Sequence, residues 1–130
     1  MNYTTTKRDI RFDSFNDAVQ YIEKRTSPRN GNGPKLMHNT FGKIWYQDGE
    51  PQRVDIMLHW TVIYSIDKNN AITLNSGGWH SVTTKDRMNR FLPYGWRVFQ
   101  RNFQWFVGRE IDMLDLEFEY EEGFRIQLEI

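Results

Sequence analysis

The chain has 130 residues, no cysteine, and equal numbers of basic and acidic side chains, which leave no formal net charge. This length suits one domain with one core, the absence of cysteine excludes disulfides and thiolate metal sites, and no apolar run is long enough to span a membrane. Aromatic residues make up 15% of the chain, which favours a strand-rich fold. The polar N-terminus lacks the pattern of a secretory signal, so we expect a cytoplasmic protein.

The first third of the chain is predicted to contain an arm, a helix and a loop. Residues 1–9 suit a flexible arm, and a helix is expected over residues 14–26 because Ser14 and Asp17 have the spacing of a capping box. Residues 27–40, which include an alternation of asparagine and glycine, are predicted to form a long loop. The apolar side chains of the helix fall on one face that we expect to cover a sheet: Phe15, Ala18, Val19 and Ile22.

Alternation of apolar and polar residues dominates the middle of the chain. A strand is expected over residues 42–47, followed by a turn. Every even position from Val54 to Ile66 is then apolar, which predicts one long, bent central strand with one face in the core. A hairpin turn at residues 67–70 leads into a short antiparallel strand over residues 71–74.

A glycine corner and a short second helix are predicted next. Residues 75–78, which end in two glycines, suit a sharp turn. Thr83 is expected to cap a helix over residues 84–92, with Asp86 at the capping-box spacing, and Pro93 ends it. The apolar face of this helix consists of Met88, Phe91 and Leu92.

Two hairpins are predicted to complete the chain. The first pairs residues 96–100 with residues 103–107, and the second pairs residues 112–120 with residues 124–130. We therefore expect a single α+β domain with two helices and a mostly antiparallel sheet of about six or seven strands.

The glycine corner and second helix also carry a family resemblance. The run NSGGWHSVTTKDRMNRFLP and the aromatic segment after it resemble a motif of small, largely uncharacterised tailed-bacteriophage proteins, typically L-x-S-x-G-W-x-T-x-T-T-K-x-R-x-N. Ser81 stands where threonine is usual, and the resemblance covers roughly residues 58–107. It implies a phage protein in the cytoplasm of a host cell and no catalytic residues. The matching positions are Leu74, Ser76, Gly78, Trp79, Thr83, Thr84, Lys85, Arg87 and Asn89.

Charge is distributed unevenly along the chain. Residues 76–109 carry six basic and one acidic side chain, whereas residues 110–130 carry one basic and eight acidic side chains. The zero total argues against a general nucleic-acid binder. The basic and acidic blocks either neutralise each other within the fold or form two separate contact surfaces.

A basic and aromatic surface is the candidate binding site. A helix N-terminus with threonine hydroxyls and a lysine can hold a phosphate, and aromatic side chains interleaved with arginines can stack bases and contact the backbone of a single strand. Helix capping and cation–π packing within the fold explain the same residues without a ligand. The candidate residues are Trp79, Thr83, Thr84, Lys85, Arg87, Arg90, Arg97, Arg101 and Trp105.

The sequence offers no clear catalytic or metal-binding pattern. The histidines, His38, His59 and His80, lie in three different predicted elements and lack the spacing of a metal motif. We expect no catalytic residues, no metal and no cofactor.

The leading expectation is a non-enzymatic phage accessory protein that binds nucleic acid or a host enzyme that processes nucleic acid. The main alternative is an inhibitor of a host protein, such as a defence or transcription enzyme, that uses the acidic C-terminal hairpin or the loop at residues 29–35. A small nuclease or hydrolase using His59 or His80, and a structural virion component that forms homo-oligomers, remain as further alternatives.

Overall fold

The computed structural model describes residues 9–26 and 33–129, and these residues form two helices and nine strands. In chain order the elements are α1 (Phe15–Glu23), β1 (Lys35–Met37), β2 (Thr40–Gln47), β3 (Glu50–Leu58), β4 (Thr61–Asp67), β5 (Ala71–Leu74), α2 (Val82–Phe91), β6 (Trp96–Arg101), β7 (Gln104–Ile111), β8 (Leu114–Glu119) and β9 (Phe124–Gln127). The prediction of one α+β domain with two helices is confirmed, and the strands exceed the expected number.

The predicted arm and loop fall partly outside the described residues. Of residues 1–9, the structure describes Asp9, whose carboxylate pairs with the Arg11 guanidinium at 2.9 Å. Residues 27–32 also lie outside the described residues, and the segment predicted as a loop contains β1. The backbone N–H of Phe12 donates to the carbonyl oxygen of Phe91, so the chain before α1 is held against the end of α2.

Helix α1 has the predicted cap and apolar face, and it ends at Glu23 rather than at the predicted residue 26. Ser14 caps it, with its hydroxyl accepting a hydrogen bond from the Asp17 N–H. Ala18, Val19 and Ile22 are buried, and the helix packs on β2, β3 and β4. Local capping and a single apolar face are therefore sufficient to specify this helix.

The larger sheet contains six antiparallel strands in the order β1-β2-β3-β4-β5-β9. The long strand predicted over residues 54–66 is wrong, because β3 and β4 form a hairpin with a tight turn at His59 and Trp60. His59 has a positive φ of 55°, and a bulge shifts the register on the return, where Ile56 pairs with Tyr64 and Met57 with Val62. The alternation of apolar and polar residues continues through the turn, so the sequence shows no break at that position.

The smaller sheet contains three antiparallel strands in the order β6-β7-β8. The hairpin of β6 and β7 was predicted, but the predicted pairing of residues 112–120 with residues 124–130 is wrong. Strand β8 pairs with β7, and β9 pairs with β5 in the larger sheet. The chain changes sheets at Gly123, whose N–H donates to the carbonyl oxygen of Leu74 at 2.9 Å.

Helix α2 connects the two sheets and ends at Phe91, one residue before the predicted end. It contacts β4 of the larger sheet and β6 of the smaller one. The Asn89 side chain donates to the carbonyl oxygen of Val98 and accepts from its N–H, at 2.9 and 2.8 Å. The predicted apolar face is fully buried and joins the core of the molecule: Met88, Phe91 and Leu92.

Candidate functional site

A cleft of about 780 Å³ opens beside the N-terminus of α2, and we call it the tryptophan cleft. Its walls come from the β1–β2 turn, the β3–β4 turn, the glycine corner before α2 and the first turns of α2. The lining residues are His38, Asn39, Leu58, His59, Trp60, Thr61, Ile63, Ser76, Trp79, Ser81, Thr83, Thr84 and Arg87.

Hydrogen bonds hold the walls of the tryptophan cleft together. The His59 N–H donates to the carbonyl oxygen of Asn39 at 2.7 Å, which joins the β3–β4 turn to the β1–β2 turn. The Arg87 guanidinium donates to the Thr40 hydroxyl at 2.9 Å, which joins α2 to β2. Because each wall is fixed to its neighbour, the cleft is formed before any ligand arrives.

The glycine corner is packed directly against the β3–β4 hairpin. Gly77 has a positive φ of 64°, and a Cβ added there would lie 2.8 Å from the Thr61 methyl group. The Asn75 N–H donates to the carbonyl oxygen of Ile63 at 3.1 Å. This packing explains the glycine at that position and brings Trp79 to the rim of the cleft.

Two tryptophans project from the rim into solvent. Trp60 is 88% exposed and Trp79 is 71% exposed. Large apolar rings are normally buried to remove them from water, and the tight turn and the glycine corner prevent both from reaching the core. Their flat faces are therefore available to a ligand that stacks.

The electrostatic character of the tryptophan cleft is mildly positive. Arg87 is the one arginine or lysine among its described lining residues, and no carboxylate lines it. The Arg87 side chain is only 13% exposed and also contacts Asp86 and the carbonyl oxygen of His38. Arg87 therefore holds the cleft wall in place and contributes a positive charge to it. Hydroxyl and imidazole side chains provide the other polar groups of the lining.

A second concave surface lies on the other side of the α2 N-terminus, between α2 and β6, and we call it the α2–β6 groove. It encloses about 520 Å³ and combines three basic and two acidic side chains with polar and apolar ones. Its lining residues are Asp9, Val82, Lys85, Asp86, Asn89, Arg90, Arg97, Val98, Phe99 and Gln100.

The cations of the α2–β6 groove differ in how firmly the fold holds them. Asp86 accepts from Arg90 at 2.9 Å and also contacts Arg87; although its burial opposes the effect, these two arginines lower the pKa of the Asp86 carboxyl. Lys85 donates to the Gln100 side chain at 3.2 Å. Arg97 is exposed, and its side chain makes no hydrogen bond or ion pair with other described residues. Lys85 and Arg97 are therefore the cations best placed for a ligand.

The cap of α2 is Ser81 and not Thr83 as predicted. The Ser81 hydroxyl accepts from the Thr84 N–H at 3.1 Å, and the helix begins at Val82. Thr84 is buried, whereas Thr83 is exposed on the cleft wall. Because Ser81 caps the helix, Thr83 is not the cap, and it lines the tryptophan cleft.

The predicted residues of β6 and β7 lie away from the tryptophan cleft. Trp105 is 3% exposed, and its ring stacks on the His80 ring at 4.5 Å between centroids, so it offers no open face to a base. Arg101 pairs with Glu117 at 2.8 Å and lies over the Phe106 ring. This ion pair joins the basic and acidic blocks of the sequence at one point.

The Glu122 carboxylate joins the segment after β8 to the glycine corner, and we call this contact the carboxylate latch. Glu122 accepts hydrogen bonds from the Ser76 hydroxyl at 2.6 Å, from the Ser76 N–H at 2.8 Å and from the Gly77 N–H at 3.1 Å. Although partial burial acts in the opposite direction, the bonds from Ser76 lower the pKa of the Glu122 carboxyl. Burial and the nearby Glu122 carboxylate raise the pKa of the Tyr120 phenol.

The histidines do not converge on one point. His38 and His59 line the tryptophan cleft, whereas His80 lies 3.4 Å from the Glu122 carboxylate and stacks on Trp105. No group of three potential metal ligands occurs among residues 9–26 and 33–129. Over the same ranges, neither helix is long and apolar enough to cross a membrane.

The sequence indicated one wall of the tryptophan cleft and not the opposite one. Trp79, Thr83, Thr84 and Arg87 were identified from the helix and its resemblance to phage proteins. The other wall contains His38, His59 and Trp60, which meet the helix through long-range folding. Trp60 occupies an apolar position of an alternating run, so its sequence context indicated the core.

Comparison with known proteins identifies one family. The model of the family described as Kyanoviridae Gp96 protein matches residues 13–127, which is most of the chain. No curated protein and no solved structure matches the chain.

Proposed function

Since the chain belongs to the Kyanoviridae Gp96 protein family, a phage protein family, we propose that it is a phage accessory protein that binds single-stranded nucleic acid. Bases stack on Trp60 and Trp79 in the tryptophan cleft, and phosphates contact Lys85 and Arg97 in the α2–β6 groove. The single observation that carries this proposal is the pair of exposed tryptophans on a preformed cleft.

The tryptophans supply the sequence-tolerant part of the interaction. Stacking a base on an aromatic ring contributes about 1–3 kcal/mol, and every base has a face that can stack. The turn at His59 and the corner at Gly77 fix the backbone that carries both tryptophans, so binding does not have to order that backbone. The same geometry disfavours duplex DNA, whose bases are already stacked inside the helix.

The basic side chains supply the phosphate contacts. Lys85 and Arg97 line the groove on one side of α2, and the tryptophan cleft lies on the other side. Binding energy from such contacts arises largely from release of counterions and weakens as salt increases. A chain with no net charge but a local basic block then binds weakly through charge alone and depends on stacking.

The proposal is tested by titrating fluorescent single-stranded DNA and RNA oligonucleotides with the protein and measuring anisotropy at low salt. Trp60→Ala and Trp79→Ala are each expected to weaken binding by roughly tenfold, since each removes one stacking platform. Neither change should alter thermal stability much, because both rings project into solvent.

Phe103→Ala is the matched control, because Phe103 is an aromatic residue that is 96% exposed and lines neither concave surface. Its loss should leave affinity unchanged. Equal weakening by Phe103→Ala, or parental affinity in the Trp60→Ala, Trp79→Ala double variant, would show that the cleft does not bind the strand. Tighter binding of a duplex than of a single strand would also contradict the proposal.

A further inference from the structure

Strand β8 is an exposed edge of the smaller sheet and has two chemically different faces. All six of its residues are exposed, and it pairs on one side with β7. One face carries large apolar side chains that are 41–64% exposed, namely Leu114, Leu116 and Phe118. The other face carries Asp115, Glu117 and Glu119.

The backbone of β8 has hydrogen-bonding groups directed away from β7. The Tyr120 N–H donates to the carbonyl oxygen of Trp105, which assigns the even-numbered residues of this strand to the β7 ladder. The N–H and C=O groups of Asp115, Glu117 and Glu119 therefore point toward the open edge. An edge with exposed apolar side chains and open backbone groups is a template for an added strand.

The charges on β8 disfavour antiparallel pairing with β8 of a second copy. In antiparallel self-pairing, one register places Asp115 opposite Glu119 and Glu117 opposite its own copy. Shifting the register by one residue places carboxylates against the apolar side chains. Like charges directly opposite each other destabilise a strand pair, and desolvating carboxylates against apolar groups is also unfavourable.

We propose that β8 binds an extended segment of a partner protein in which basic and apolar residues alternate. The segment would pair with the open backbone groups, place its apolar side chains beside Leu116 and Phe118, and place its cations beside Asp115 and Glu119. Among the described residues, Asp115 and Glu119 make no ion pair, so both carboxylates are available. No residue of β8 lines the tryptophan cleft or the α2–β6 groove, so this surface is separate from the proposed nucleic-acid site.

The probe for this surface is a short synthetic peptide in which lysine and valine alternate. Its matched control has the same composition with the lysines and valines in separate blocks, and a second control replaces the lysines with glutamates. Anisotropy of the labelled peptides measures affinity for the full chain. The alternating lysine peptide is expected to bind about tenfold more tightly than either control, because it alone satisfies backbone, apolar face and charge together.

Two variants of Asp115 separate strand addition from simple charge attraction. Asp115→Pro removes an outward N–H and is tolerated at an edge position, whereas Asp115→Asn removes the same charge and keeps the donor. We expect the proline variant to lose about tenfold in affinity and the asparagine variant about twofold. The Asp115→Lys, Glu119→Lys double variant should instead prefer the glutamate peptide.

Circular dichroism of each variant establishes that the fold is kept. If the double variant does not fold, the comparison of Asp115→Pro with Asp115→Asn still distinguishes strand addition from charge attraction. Equal affinity for the alternating and block peptides would show that charge attraction alone accounts for binding, and it would overturn the proposal. Absence of binding by the alternating peptide at low salt would overturn it as well. A concentration-dependent dimer that Asp115→Pro abolishes would identify a second copy as the occupant and contradict it.

Discussion

Glu122 shows how one side chain can join segments that are distant in sequence. Its carboxylate accepts three hydrogen bonds from Ser76 and Gly77, and the Ser76 hydroxyl and N–H have no access to water in this position because Ser76 is buried. Polar groups that are buried without a partner cost free energy. The geometry of the glycine corner, and with it the position of Trp79, therefore depends on a residue near the C-terminus.

Glu122→Ala is expected to lower the free energy of unfolding by about 2 kcal/mol at neutral pH, because it leaves the buried groups of Ser76 unsatisfied. Because the folded-state pKa of Glu122 is lowered, its stabilisation is complete above the ordinary value of 4.5 and is lost as the pH falls below that value. Urea unfolding at neutral and acidic pH measures both effects, and the difference between parent and variant should shrink in acid.

Glu121→Ala is the neighbouring control, since the exposed Glu121 side chain makes no hydrogen bond or ion pair among the described residues. It should change stability by no more than about 0.5 kcal/mol. A Glu122→Ala protein as stable as this control at neutral pH would disprove the latch.

At the scale of elements, local patterns specify the helices better than they specify strand pairing. Ser14 and the apolar face of α1 are neighbours in sequence, and they were identified correctly. The β3–β4 turn was missed because His59 and Trp60 are not typical turn residues and the alternation passes through them. The Glu121–Gly123 segment resembles a hairpin turn, yet bonds to Leu74 and Ser76 carry the chain to the other sheet, and such distant contacts leave no local pattern.

The start of α2 gives a direct test at this scale. Ser81→Ala should lower the free energy of unfolding by about 1 kcal/mol, because the Thr84 N–H loses its side-chain acceptor. Thr83→Ala removes a hydroxyl two residues after Ser81 that does not cap the helix, so it should change the free energy of unfolding little. Thermal or urea unfolding compares the two variants. A larger loss of stability in Thr83→Ala would indicate that Thr83 is the cap, as predicted from the sequence.

At the scale of the whole molecule, the fold distributes the cations of the basic block between structural and accessible positions. Arg87 joins α2 to β2, Arg90 pairs with Asp86, and Arg101 pairs with Glu117. The sequence predicted all three as ligand contacts, and it could not show the partners within the chain that folding supplies to them. Lys85 and Arg97 remain as the cations positioned for phosphate.

The salt dependence of nucleic-acid binding tests this division. With two phosphate contacts, the logarithm of the association constant for a single strand should fall with the logarithm of salt concentration with a slope of about −1.4. The Lys85→Ala, Arg97→Ala double variant should flatten this slope toward zero, whereas Lys68→Ala and Arg125→Ala, exposed cations outside both concave surfaces, should not. An unchanged slope in the double variant would place the phosphate contacts elsewhere.

The most direct test of the central claim follows the indole N–H signals of the five tryptophans by nuclear magnetic resonance while a single-stranded oligonucleotide is added. Single tryptophan-to-phenylalanine variants assign each signal. We predict shifts for Trp60 and Trp79, and none for buried Trp105 or for Trp45, whose indole N–H donates to Asp55 at 2.7 Å away from the tryptophan cleft. Unchanged Trp60 and Trp79 signals at saturating oligonucleotide, or shifts confined to Trp45, would contradict binding in the tryptophan cleft.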